Sequence, residues 1–252
     1  MPLSQLLLSL AILASTAGTY VGLRNPNPEP PSSSSSSAKP NEPPRHADSI
    51  RWMLLTHRHA SKVILLPLAF LSLHLAALAL YHRPGGGGGD ALPAVLLRHG
   101  AVNGLSAAMT TWSASTALPL ALVLGVGVPL RLGPYRSLGS DFTFQLSRPA
   151  RLKTTGIYAR VQHPSYVGVV VLVLSNVALL ARPDGVLACW IPPPAHRALR
   201  AVEWVLAPAA CSVFLLGVWT RVREEERMLK AEFGDKWERW HASTARFIPY
   251  VL

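Results

Sequence analysis

The sequence predicts an all-α protein: a polytopic membrane bundle of five or six spans, followed by a cytosolic C-terminal helix. Three observations lead there. Half of the 252 residues are hydrophobic and only 15% are charged, where soluble globular chains run nearer 25%. The apolar residues gather in blocks of near-spanning length instead of recurring at helical or strand spacing. The Lys and Arg residues fall between and after those blocks.

The first block, Leu6–Val21, is followed by small residues and then Arg24. No basic residue precedes it, which favours a retained anchor with its C-terminal end in the cytosol over a cleaved signal peptide. Residues 1–24 form this N-terminal helix. Residues 25–61 are rich in Pro and Ser and cannot bury a core, so they read as a disordered or extended linker.

Residues 62–134 carry the next spans. A bilayer core of roughly 30 Å takes ~20 apolar residues of helix, and Val63–Tyr81 meets that length. After the glycine run 85–89, the stretch from Leu92 to Leu130 is diluted by Ser, Thr, Gly and Asn103. It holds one long tilted span or a tight two-helix hairpin, which is why the count is five or six.

Residues 135–252 open with a basic stretch in which Arg136, Arg148, Arg151, Lys153 and Arg160, with Arg131 just before it, face a single Asp141. That imbalance marks a cytoplasmic segment. If the tail after Thr220 is cytosolic too, Tyr166–Ala181 and Val202–Thr220 form a down-and-up pair through the turn at Pro192, Pro193 and Pro194. Residues 145–166 and 221–240 then meet on one face of the membrane.

The net charge of +11 does not indicate nucleic acid, because the cations form no stripe with interleaved aromatics. Cys189 and Cys211 lie in or beside apolar blocks without metal-ligand or disulfide spacing, so neither a metal site nor a disulfide framework is expected.

Two polar constellations flank the hairpin. In the first, His163 precedes Pro164, which suits the first turn of a helix, and an anion such as a carboxylate can be held at that helix start. In the second, Arg221 and Glu225 are four residues apart on a helix that runs to Gly234, a suitable C-terminal cap. On spacing alone, an interfacial histidine and a solvated charge cluster explain both as well.

Together the blocks resemble the isoprenylcysteine carboxyl methyltransferase family. The first matches as Gly156, Tyr158, His163, Pro164, Tyr166 and Gly168; the second as Arg221, Glu225, Glu226, Leu229, Phe233, Gly234 and a late Pro249. The likeness runs from about Gly127 to Val251, with both blocks in order and at the family's separation. Three matched positions differ: Gln162 stands for the family's arginine, and Trp237 and Trp240 for two tyrosines.

The resemblance implies an endoplasmic-reticulum membrane enzyme, its active site facing the cytosol, that uses S-adenosylmethionine to methylate the C-terminal carboxylate of prenylated, CaaX-type proteins. Matched positions assign Gln145, Leu152, Lys153, Tyr158, His163, Pro164, Ser165, Tyr166 and Glu225 to the cofactor pocket, which the C-terminal helix completes. Arg221 falls on the position that holds the substrate carboxylate, and Arg221 and Glu225 are the expected catalytic pair. A phospholipid N-methyltransferase is the neighbouring possibility, and a non-catalytic membrane protein of the same fold is the one from another class.

Overall fold

The computed structural model describes residues 3–24, 60–81, 94–139, 149 and 151–249. Most of the Pro- and Ser-rich linker and Gln145 lie outside the described residues. Within them the chain is helical, and the one extended feature is an isolated parallel bridge between Val161 and Ala245.

Ten α-helices follow in order: α1 (Leu3–Leu23), α2 (Ala60–Tyr81), the single turns α3 (Ala94–Leu97) and α4 (Gly100–Asn103), α5 (Ala114–Leu122), α6 (Val128–Leu138), α7 (Pro164–Leu180), the short α8 (Leu187–Trp190), α9 (Pro193–Phe233) and α10 (Asp235–Ser243). Among the described residues, three helical stretches are long and apolar enough to cross a membrane: Leu3–Leu23, Ala107–Leu138 and Pro193–Phe233. Leu65–Tyr81 and Pro164–Leu180 are shorter apolar helices.

The diluted stretch after Leu92 therefore resolves into the two short turns α3 and α4 and then one long helical run, not two spanning helices. That run is broken by a π-bulge at Val123–Gly127, where α5 passes into α6. Pro129 explains its place: proline offers no N–H, and its ring crowds the carbonyl four residues earlier.

α1 packs one face into the bundle and leaves the other exposed. Leu8 and Ile12 have no exposed surface. The Ser9 hydroxyl donates to the Ala76 carbonyl at 2.8 Å, the Asn176 amide donates to Thr19 Oγ1 at 3.0 Å, and the Trp112 indole donates to the Ser4 carbonyl at 2.8 Å. These bonds tie α1 to α2, α7 and the segment before α5. Hydrocarbon tails give helices little apolar reason to associate, so close packing and such polar bonds decide the contacts.

Gly168 shows how close the packing is. A Cβ there would sit 3.0 Å from Arg131 N and Leu130 C and 3.1 Å from the Gly127 carbonyl oxygen. Only glycine lets α7 lie directly on the backbone of α6.

α9 behaves differently. Its 41 residues extend about 60 Å at 1.5 Å per residue, roughly twice a bilayer core. None of its apolar window is buried within the chain; Trp204, Val213 and Leu216 are 74%, 68% and 64% exposed. The apolar run ends at Thr220, and the charged turns beyond it dock against the start of α7. Gly234, with φ of 49°, then reverses the chain into α10, as the expected cap requires.

Candidate functional site

The segment before α7 is short and fixed at both ends. Gly156–Ala159 makes one 3₁₀ turn, then Arg160 to His163 pairs with the C-terminal segment. Gln162 N donates to the Ala245 carbonyl at 2.8 Å, His163 N to the Arg246 carbonyl at 2.9 Å, and Ala245 N to the Arg160 carbonyl at 3.2 Å. Pro164 occupies the first helical position of α7 with His163 as its cap residue.

The helix start offers fewer free amides than its sequence promises. Pro164 has no N–H, and the Tyr166 and Val167 amides both turn back to the His163 carbonyl, at 3.2 and 3.4 Å. Ser165 supplies the N–H of this turn not used that way. Positive charge comes instead from Arg131, a buried guanidinium that donates from Nε to the Gly22 carbonyl at 2.7 Å and from Nη1 to the Ser165 hydroxyl.

Across from this start stands the charged end of α9. The Tyr166 hydroxyl donates to Glu225 Oε2 at 2.7 Å, joining the two blocks directly. His163, 3% exposed, places Nδ1 4.0 Å from Glu225 Oε1. That nitrogen is buried and has no hydrogen-bond partner among the described residues. Tyr158 belongs to the same group: burial pushes its phenol up, and the Glu225 carboxylate pushes it the same way, against a smaller pull from Arg131.

Arg221 is buried at 8% exposure and lies 3.9 Å from Glu224 through Nη1 and Oε2. It also lies close enough to the Tyr166 hydroxyl to act on it electrostatically. Tyr158, His163, Ser165, Tyr166, Arg221 and Glu225 are therefore gathered at one place, with Pro164 shaping it. Leu152 packs instead in an apolar cluster with Met228, Leu229 and Trp237. Lys153 is half-buried and makes no hydrogen bond or ion pair to the group among the described residues.

Three further participants had no site role assigned from the sequence. Arg131 was read as a topology signal, although a cation between Leu130 and Leu132 in an apolar run is itself a sign of an interior role. Glu226 is 4% exposed and accepts from Arg246 at 2.8 Å and from Arg223 at 3.0 Å, with His163 Nε2 3.5 Å away. Arg246 lies far along the chain, and no local pattern marks it.

Gln162 has a clear place. Its Nε2 donates to the His241 carbonyl at 3.2 Å, the Thr244 carbonyl at 2.8 Å and Thr244 Oγ1 at 2.9 Å. Its Oε1 lies 2.7 Å from His241 Nδ1. This side chain holds the tail and does not line the cluster.

The opposite face of α9 borders a cleft of about 370 Å³ between α9 and α10, which adjoins the cluster around His163 through Glu226. Among the described residues, no three His, Cys, Asp or Glu side chains converge as metal ligands. No family model, curated protein or solved structure matches the chain.

Proposed function

We propose that the protein is a membrane methyltransferase that uses S-adenosylmethionine to esterify the C-terminal carboxylate of prenylated cysteine. The observation that carries this reading is the 2.7 Å hydrogen bond from Tyr166 to Glu225, which unites two sequence blocks 59 residues apart around a buried histidine with a free ring nitrogen. In this reading the chain forms a five-span bundle in the endoplasmic reticulum, counting the two shorter apolar helices, and the 221–249 tail faces the cytosol.

The side chains present fit an amino-acid zwitterion beside a second anion. Glu225 is 32% exposed, open enough to accept an ammonium group from outside. His163 Nδ1, buried without an acceptor or donor of its own, is a position at which a ligand's polar atom relieves the desolvation of the ring. Arg131 and the single Ser165 amide supply the positive counterpart for a carboxylate. S-adenosylmethionine, when bound, supplies the activated methyl group.

Arg221 is assigned to the acceptor. Its planar guanidinium suits a carboxylate in bidentate geometry, and such an acceptor is already ionised at neutral pH. No general base is then required, and alignment with exclusion of water is the main task of the site. The exposed apolar face of α9 agrees with an acceptor that carries a hydrocarbon chain.

The test is transfer of a labelled methyl group in membranes offered N-acetyl-farnesylcysteine or phosphatidylethanolamine. Label in the cysteine derivative supports the proposal, and label in the amine lipid moves the assignment to phospholipid N-methylation. Absence of label in both, with no cofactor binding by calorimetry, returns the fold to a non-catalytic role. Glu225→Gln and Arg221→Ala are expected to remove most turnover while expression and insertion persist; full activity in either variant sinks the residue roles.

A further inference from the structure

The cleft between α9 and α10 is lined by Arg223, Glu226, Arg227, Lys230, Trp237, Glu238 and His241. Apart from Glu226, which also faces His163, these side chains do not take part in the Tyr166 and Glu225 cluster. On a helix that turns 100° per residue, positions 223, 227 and 230 cover one face, and 221 and 225 the opposite one.

Charge accounting makes this cleft distinctive. Glu226 does not depend on the cleft for neutralisation, because Arg246 Nε bonds it at 2.8 Å from behind and His163 Nε2 stands 3.5 Å away. Arg223, 42% exposed, is thus a supernumerary partner at 3.0 Å. Lys230 meets Glu238 at 2.8 Å, but both are more than half exposed, and such pairs contribute little. Arg227 is exposed and forms no ion pair among the described residues. Four cations (Arg223, Arg227, Lys230, Arg246) against two carboxylates (Glu226, Glu238) leave a local surplus of two positive charges.

The wall of the cleft is a packed aromatic pair. Trp237 and His241 stack with ring centres 4.3 Å apart and planes 16° from parallel. Trp237 is 6% exposed and belongs to the apolar cluster with Leu152, Met228 and Leu229.

The cleft also has a definite height. Arg223 is three residues beyond Thr220, about 4.5 Å along the axis, and Lys230 ten residues, about 15 Å. Trp219 is 45% exposed and lies under two guanidiniums, Arg223 at 5.9 Å and Arg246 at 6.0 Å from its ring centre. A tryptophan with arginines just past an apolar run is the signature of the bilayer interface. With the run of α9 in the membrane, the cleft opens from the headgroup layer outward.

We propose that this cleft binds a phosphomonoester, presented by the headgroup of an anionic lipid in the leaflet that α9 leaves. A phosphomonoester carries close to two negative charges at neutral pH, which matches the surplus, and its oxygens accept from several donors at once. The site does not rest on the methyl-transfer reading and stands or falls without it.

The probes are short-chain phosphatidylinositol 4-phosphate, phosphatidylcholine as the zwitterionic comparator, and inositol 1,4-bisphosphate and inorganic phosphate as soluble anions. Binding is measured by thermophoresis on the full chain in detergent. The phosphoinositide is expected to bind at least ~10-fold tighter than phosphatidylcholine and to weaken between 50 and 200 mM salt, as charge-driven binding does. Arg227→Gln combined with Lys230→Gln, both exposed and free of core contacts, is expected to raise the dissociation constant ~10-fold or more, two charge-assisted contacts being lost. Lys236→Gln, exposed on α10 outside the cleft, is expected to change nothing.

Tight binding of the lipid with weak binding of inositol bisphosphate identifies the membrane as the source. Equal binding of both, lost in the double variant, keeps the site and makes its ligand soluble. Equal affinity of wild type and double variant for the phosphoinositide, or no preference over phosphatidylcholine, overturns the proposal.

Discussion

Gln162→Ala should loosen the C-terminal segment without unfolding the bundle. The amide has two hydrogens and three acceptors within 2.8 to 3.2 Å, and its oxygen receives His241 Nδ1 at 2.7 Å. Three bonds are therefore the effective number. At about 1 kcal/mol net for each, the docked tail loses about 3 kcal/mol, on the order of 100-fold in its docking equilibrium. Three backbone bonds around Ala245 and the Arg246 to Glu226 pair remain, so the segment opens more often but is not released. Hydrogen exchange of peptides covering 240–249, read by mass spectrometry, should show that loss of protection while α2 and α7 stay unchanged. Gln162→Glu is a sharper companion. It keeps size and the acceptor for His241, but sets a carboxylate against the Thr244 and His241 carbonyl oxygens, so protection should fall at least as far. Unaltered exchange in both variants would refute the role given to this side chain.

Arg131→Met should lower the thermal unfolding temperature in detergent, because the Gly22 carbonyl and the Ser165 hydroxyl lose a charged donor; about 2–4 kcal/mol is expected from two such bonds, and an unchanged temperature would remove Arg131 from the core of the site. Tail protection should also depend on pH through His241, whose ring is kept below its ordinary value of 6.5 by burial and by the nearby Arg246, against the opposing pull of Glu226. Since the folded tail favours the neutral ring, its contribution is complete above about pH 6.5 and falls as acidification passes through the lowered folded value; exchange of 240–249 measured from pH 7.5 to 5 should show this, and His241→Gln should flatten it. Glu226→Gln should release Arg246 and Arg223 together and cost about 2–3 kcal/mol of tail docking, visible in the same peptides, whereas Glu225→Gln should leave them protected.

The helical class and the position of the paired blocks were legible because both rest on local information: block length, a proline after His163, and Arg221 and Glu225 one helical turn apart. Gly234 as the end of α9 was legible for the same reason. What was not legible depends on contacts between distant parts of the chain. Arg131 looks like a flanking topology charge until Gly22 and Ser165 are placed on either side of it. Glu226 looks equivalent to Glu225 until Arg246 is found beside it, and only then does one carboxylate become a structural anchor and its neighbour the open one. Leu152, which the matched pattern assigns to the pocket, packs with Met228, Leu229 and Trp237, contacts that no local pattern marks.

The charged end of α9 divides its labour by helical angle. Arg221 and Glu225 look toward α7, Arg223, Arg227 and Lys230 toward α10, and Glu226 sits between, facing His163 on one side and Arg246 on the other. Because Arg246 also lends its carbonyl to the His163 amide, the cap residue of α7 is positioned by the same tail that walls the cleft. Undocking the tail therefore disturbs both faces at once: it removes the acceptor that orients His163 and the Trp237 and His241 pair that closes the cleft. Any ligand that binds only while the tail is docked would therefore add its binding free energy to that docked state by ordinary linkage.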